Sequence, residues 1–173
     1  MDLDRLCQPI ELILSDVDGV LTDGAIVLDN QGIETKRFNN RDGMGIVLWR
    51  KAGYRFGLIT LRSSHLVKIR AGELGIDLIR QGTAEKLPVL RQILDELDLK
   101  PEQTCYLGDD LPDLPVVGAA GLGVAVSDAC AELRENADYI TESAGGRGAV
   151  RETIELILKA QRRWDDVIQP YLR

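Results

Sequence analysis

IELILSDVDGVLTD, residues 10–23, runs from an apolar segment straight into two carboxylates. Ile10, Leu12, Ile13 and Leu14 carry no charge among them after Glu11, as expected of a strand covered on both faces. The run ends in Asp16 and Asp18, and Gly19 follows. In an open α/β sheet, ligands bind in the crevice beyond the carboxyl ends of the strands, so two acids there are placed to act together. Capping a turn is a weaker explanation for a pair of acids at the end of an apolar strand.

Outward from this stretch, strands and helices alternate. Residues 25–28 and 33–38 are β-prone runs around Asp29-Asn30-Gln31-Gly32, which predicts a hairpin projecting after the first strand, over about residues 24–38. Apolar spacing predicts a helix over 44–51 that stops at Gly53, and a strand over 55–59. Ser63 or Ser64 is expected to cap a helix that runs to Leu74 and is closed by Gly75. A short strand over 76–79, a helix over 84–97 and a strand over 104–107 follow, the last ending in Gly108-Asp109-Asp110. Residues 111–117 form a helix of about one or two turns, and 121–126, 129–136 and 138–141 complete the alternation. A long amphipathic helix is expected over 147–164. This order indicates an α/β chain with a parallel central sheet between helical layers, a three-layer Rossmann-like arrangement with right-handed crossovers.

Composition narrows the class. At 173 residues, 45% hydrophobic and 28% charged, the chain is expected to fold as one domain, residues 1–173, with its own core. No apolar run approaches the roughly 20 residues that span a bilayer, and MDLDRLCQ is unlike a signal peptide, so a cytoplasmic protein without a membrane partner is expected. Cys7, Cys105 and Cys130 are widely spaced and odd in number, which indicates neither a disulfide framework nor a metal cluster. A net charge of −7 argues against nucleic acid as a partner.

The strand ends can then be compared. The first ends in Asp16 and Asp18, the next long one in Thr60, and a later one in Asp109 and Asp110, with Asp113 one turn on; Lys86 opens a helix between them. A parallel sheet puts these ends on one edge. Clustered carboxylates repel one another unless a cation neutralises them, and oxygen ligands suit Mg²⁺. His65 is the single histidine, so a two-histidine zinc site is excluded and any Ser/His/Asp triad would have to use it. Phosphoryl transfer fits what remains: a carboxylate attacks phosphorus, Mg²⁺ and a lysine offset charge, and an acyl phosphate divides the reaction into two steps. Asp16 would be the nucleophile and Asp18 the acid and base.

DVDGVLTDG at residues 16–24, Thr60, Lys86 and GDDLPD at residues 108–113 together resemble the four motifs of the haloacid dehalogenase superfamily of phosphotransferases. FNNRDGMGI at 38–46, QGTAEKL at 81–87 and AGGRGAVRE at 144–152, with no room for a large cap domain, are similar to its small capless subgroup of 3-deoxy-D-manno-octulosonate 8-phosphate phosphatases. The resemblance covers nearly the whole chain. It implies a Mg²⁺-dependent phosphomonoesterase whose metal is held by the Asp16 carboxylate, the Asp18 backbone carbonyl and Asp109. Asp110 or Asp113 would support the metal from behind or through water. Thr60 would hydrogen-bond the phosphoryl group and Lys86 would pair with it. Arg62 would meet the substrate, a small phosphorylated sugar acid, and Arg70 would reach into a neighbouring subunit's site. The resemblance also implies a cytoplasmic homotetramer built on the hairpins, acting in lipopolysaccharide biosynthesis. One residue departs from the pattern: Leu61 stands where the family usually shows glycine.

Other readings are a phosphatase of a nonulosonate 9-phosphate or another sugar phosphate, a receiver-type phosphoacceptor domain, and a catalytically silent assembly subunit. An arginine at position 62 favours the octulosonate branch, where the nonulosonate enzymes tend to have an acid. The DxD spacing and the late GDDLPD favour a hydrolase over a receiver, and the complete set Asp16, Asp18, Thr60, Lys86 and Asp109 argues against a silent subunit. Arg147 is read as an anion contact or a helix start, His65 as a surface or cap residue, and Trp49 and Trp164 as packing residues.

Overall fold

The chain builds its sheet from the middle outward, and that order decides which strand ends become neighbours. The computed structural model describes residues 2–172. A short helix, α1 (Leu3–Cys7), leads to β1 (Leu12–Ser15), all four residues of which are buried. Next comes the hairpin of β2 (Val27–Leu28) and β3 (Glu34–Thr35), antiparallel and separate from the main sheet. α2 (Asn40–Lys51), β4 (Arg55–Thr60), α3 (His65–Leu74) and β5 (Leu78–Gln81) follow, then α4 (Lys86–Leu97) and β6 (Thr104–Gly108). The remainder is α5 (Leu114–Val117), β7 (Leu122–Ala125), α6 (Ala131–Asn136), β8 (Tyr139–Ile140), α7 (Ala149–Ala160) and α8 (Trp164–Ile168).

The sheet order is β5-β4-β1-β6-β7-β8, with every neighbouring pair parallel. From β1 the chain winds outward through β4 and β5, then returns to place β6 on the other side of β1. β1 and β6 therefore flank the point where the winding reverses, the place at which such sheets hold ligands. The register pairs Ser15 with Leu107, and the Asp16 N–H donates to the Leu107 carbonyl at 3.0 Å. The residues after the two strands thus start level with each other. Helices cover the sheet in two groups: α2 packs on α7, which also meets α1 and α8, while α4 packs on α5 and α5 on α6. Among the described residues no cap domain is inserted and no helix is long and apolar enough to cross a membrane.

Element boundaries depart from the sequence reading where a local cap or a distant partner intervenes. α2 begins at Asn40 rather than residue 44, because the Asn39 side chain caps it by accepting from the Arg41 N–H at 2.8 Å. Gly43 and Gly45 in its first turns hide the apolar periodicity and let Arg70 and Arg151 approach closely. β5 begins at Leu78 rather than residue 76, because the Ile76 N–H closes α3 on the Ala71 carbonyl at 2.8 Å behind the left-handed Gly75. The helix expected over 147–164 is two helices. α7 stops at Ala160, Arg162 turns the chain at φ +56°, and Gln161 Nε2 donates to the carbonyls of Ile10 and Cys7 at 2.8 and 3.0 Å. α7 also starts after Arg147, and its first N–H groups are capped from another helix: Asp42 on α2 accepts from Gly148 at 3.2 Å and Arg151 at 2.9 Å.

The hairpin is shorter than its β-prone runs and strongly apolar outside. The Asp29 carboxylate shapes its turn by accepting from the N–H groups of Gln31 and Ile33, both at 2.8 Å. Ile26, Val27, Leu28 and Ile33 are each more than half exposed. Trp49 is fully buried and stacks obliquely on Tyr54, Trp164 lies against Arg151 and Lys159, and His65 is the exposed first residue of α3. Cys7 and Cys105 lie in the core.

Candidate active site

The loop after β1 must turn sharply while keeping two acids at the sheet edge. Gly19 makes this possible at φ +99°, and a Cβ there would collide with the Asp109 carboxylate. Gly145 lies so close to the Gly19 carbonyl that it too has no room for a side chain, which explains why AGGRG accompanies DVDGVLTDG: the glycines seat one loop on the other. Asp16 is 9% exposed and belongs with Asp109 and Asp113 to a group whose carboxylate oxygens lie within 4.8 Å of one another.

Lys86, the first residue of α4, is the cation inside this group. Its Nζ lies 3.0 Å from Asp16 Oδ2 and 2.6 Å from Asp113 Oδ1. Burial by itself would lower the lysine's pKa, but the charges of Asp16 and Asp113 outweigh it and the ammonium is stabilised. Asp113 is fully engaged. Lys86 and the hydroxyl of buried Tyr106, 2.7 Å away, donate to Oδ1, while the N–H groups of Asp109 and Asp110 donate to Oδ2 at 3.0 and 3.4 Å. It therefore fixes the loop that presents Asp109. Burial, with the Asp113 charge added, raises the Tyr106 pKa, which keeps the phenol protonated and donating.

Asp109 is the complement to this. Among the described residues no donor reaches its carboxylate, and its pKa is raised by burial and then by the charges of Asp16 and Asp113. Burial also raises Asp16, against the pull of Lys86. Three carboxylates face a single ammonium, so the cluster lacks positive charge. Its free donors are hard oxygens with no nitrogen or sulfur among them, which fits Mg²⁺.

The cleft over this cluster has a volume of about 230 Å³ and is lined by Asp16, Asp18, Thr60, Leu61, Arg62, Lys86, Asp109, Asp110, Pro112 and Asp113. The structure thus brings together every expected site residue except Arg70. Asp18 turns its carboxylate to Lys36 and lies 3.8 Å from Arg62. Thr60 ends β4, and its hydroxyl accepts from the Arg62 N–H at 3.3 Å. Arg70, on α3, pairs with Glu73 at 3.0 Å and lies outside the cleft of its own chain.

Residues 63–154 match the haloacid dehalogenase-like hydrolase family. The chain is also 45% identical over 165 residues to the 3-deoxy-D-manno-octulosonate 8-phosphate phosphatase KdsC of Escherichia coli (strain K12), covering 95% of this chain and 88% of the relative. The chain belongs to the haloacid dehalogenase-like hydrolases. Among solved structures, this hydrolase superimposes on a probable YrbI family phosphatase from Pseudomonas syringae pv. phaseolica with a TM-score of 0.97, at 46% identity, covering 99% of this chain and 98% of the other. It superimposes with a TM-score of 0.96, at 43% identity and 98% coverage of both chains, on the Moraxella catarrhalis 3-deoxy-D-manno-octulosonate 8-phosphate phosphatase, whose crystal structure holds magnesium, phosphate and KDO.

The hydrolase accommodates its departure at Leu61 without strain. Among the described residues only Asp98 and Arg162 have positive φ outside glycine, so the turn after Thr60 is made with a conformation that a leucine adopts freely. The turn is held from the next strand instead. Gln81 Oε1 accepts from the Ser64 N–H at 2.7 Å, the Gly82 N–H donates to the Arg62 carbonyl at 3.3 Å, and Thr83 bonds the Thr60 carbonyl through both its N–H and its hydroxyl at 3.5 Å. Gln81, Tyr106, Lys36 and Glu34 were not singled out from the sequence. Glu34 and Lys36 did carry a signal: at a spacing of two on a strand they share one face of the hairpin, beside the acidic loop.

Proposed function

We propose that this hydrolase is a Mg²⁺-dependent phosphomonoesterase that converts 3-deoxy-D-manno-octulosonate 8-phosphate to the free sugar acid and phosphate through a phosphoaspartyl intermediate. The observation that carries the reading is the cluster itself: a half-neutralised carboxylate, Asp16, at the switch point of the sheet, with Lys86 at 3.0 Å and Asp109 and Asp113 beside it. The octulosonate substrate is supported by the 45% identical E. coli phosphatase and the KDO-bound relative from M. catarrhalis.

Asp16 attacks phosphorus as the bond from phosphorus to the ester oxygen breaks, and the leaving alkoxide takes the proton of the Asp18 carboxyl. Asp18 then accepts a proton from water as that water attacks the acyl phosphate, which releases phosphate and restores both carboxyl groups to their starting states. Lys86 and Thr60 hold the phosphoryl oxygens, and Arg62, 41% exposed at its side chain, faces the sugar acid. The Asp16 and Asp109 carboxylates with the Asp18 backbone carbonyl would hold Mg²⁺, and Asp113, with Asp110, keeps that loop in place. When bound, the ion offsets charge on the transferring phosphoryl group.

The whole chain acts as one domain in this reading, in the cytoplasm, as a homotetramer. The exposed Ile26, Val27, Leu28 and Ile33 support assembly through the hairpins, since an apolar strip on a projecting element suits a partner surface. Arg70 then serves the site of a neighbouring subunit.

The test is phosphate release, with and without Mg²⁺, from octulosonate 8-phosphate, nonulosonate 9-phosphates and hexose phosphates. Strong Mg²⁺-dependent preference for the octulosonate is expected, and activity confined to another ester would overturn the substrate. In the same assay Arg62→Ala raises KM for the octulosonate by about ten- to a hundredfold, the loss of one charged hydrogen-bonded contact. Aryl phosphate hydrolysis is affected less, and equal losses would make Arg62 a phosphate ligand.

A further inference from the structure

The hairpin carries one residue that does not belong to an exposed arm. Lys36 follows β3, yet its side chain is 1% exposed, while Ile26, Val27, Leu28 and Ile33 on the same hairpin face outward. Its ammonium has two partners among the described residues: the Asp18 carboxylate, with which it forms a hydrogen-bonded ion pair, and Glu34 Oε1 at 3.5 Å. Glu34 Oε1 in turn accepts from Arg62 Nη2 at 2.6 Å, and Arg62 Nη1 lies 3.8 Å from Asp18 Oδ1. Two cations and two anions close a ring that ties together the hairpin, the loop after β1 and the loop after β4.

We propose that Lys36 is a positioning residue for the reaction, pinning the Asp18 side chain through Oδ1, which accepts from the ammonium in the acid form as in the carboxylate, so that Oδ2 is left to carry the proton to the leaving oxygen. The proposal rests on the phosphomonoesterase reading and deepens it. The two cations of the ring are unequal. Arg62 is 41% exposed at its side chain and touches Asp18 only at 3.8 Å, a contact that solvent weakens. Lys36 is enclosed and donates a hydrogen bond to the same side chain, and an enclosed ammonium keeps its acceptor in place because moving away strips it of its nearest partner. Arg62 can therefore turn to the sugar acid while Asp18 stays held. Glu34 serves the same end by keeping a second anion against Lys36, and the arginine and lysine beside it outweigh the effect of burial to keep that carboxyl ionised. The hairpin is then part of the active site as well as a surface for assembly.

The experiment compares the first chemical step, by rapid quench, for octulosonate 8-phosphate and for p-nitrophenyl phosphate in Lys36→Met, Lys36→Arg and Glu34→Gln. An alkoxide needs a proton to leave and nitrophenolate does not, so a misplaced acid slows only the first ester. Lys36→Met is expected to slow phosphoryl transfer from the sugar ester by about a hundredfold, the scale of general acid catalysis, and from the aryl ester by less than about threefold. KM stays close to wild type, and Lys36→Arg recovers most of the rate. Glu34→Gln, which keeps the lysine, shows the same bias between esters on a smaller scale and decides the matter if Lys36→Met does not fold. Equal slowing of both esters, or none, would overturn the proposal. A wild-type protein inactive on every phosphate ester would instead remove the phosphomonoesterase reading on which it rests.

Discussion

Asp16→Asn lowers phosphate release by at least about four orders of magnitude, the scale of removing a nucleophile, while the protein stays folded. The amide keeps the shape of the carboxylate and cannot form an acyl phosphate. Lys86 retains its nearer partner, Asp113 at 2.6 Å, so no buried ammonium is abandoned. The change also removes the Asp16 charge, which adds to burial in raising the Asp109 pKa. Thermal unfolding without Mg²⁺ should therefore occur at an unchanged or higher temperature. Activity within tenfold of wild type would take the nucleophile away from Asp16.

Asp113→Ala gives the largest loss of stability, about 3–5 kcal/mol, the cost of breaking a buried ion pair from one side. It strips Lys86 of its 2.6 Å partner, leaves the enclosed Tyr106 hydroxyl without an acceptor and frees two backbone N–H groups at Asp109 and Asp110. The residual Lys86 contact with Asp16, at 3.0 Å, then draws the lysine onto the nucleophile, so turnover falls as well. Asp113→Asn keeps one oxygen to accept and should lose less. Urea unfolding of the two variants measures this, and a loss below about 1 kcal/mol for the alanine variant would mean that Asp113 does not organise the cluster.

Asp16, Asp18, Thr60 and Asp109 were legible because a polar residue at the end of an apolar run is a local signal and a parallel sheet brings such ends to one edge, whereas Lys86 stood out only through the motif QGTAEKL and Asp113 only as the acid one turn beyond Asp109. What was not legible depends on partners distant in the chain. Tyr106 lies inside an apolar strand, and its hydroxyl acquires meaning only when Asp113 turns toward it. Asp42 sits in a helix with no visible reason until the start of α7 arrives at its carboxylate. The apolar pattern of residues 147–164 is continuous, and the break between α7 and α8 comes from Gln161 reaching the carbonyls of Cys7 and Ile10. Lys36 lies inside the β-prone run 33–38, and the sequence does not show that Asp18 meets it.

The account stands most directly on the covalent state of Asp16. Octulosonate 8-phosphate labelled with ³²P, mixed with enzyme and Mg²⁺ and quenched in acid within milliseconds, should leave hydroxylamine-sensitive label on the peptide that contains Asp16, and none in Asp16→Asn. Efficient phosphate release with no label on the protein, or label retained in the variant, would contradict it.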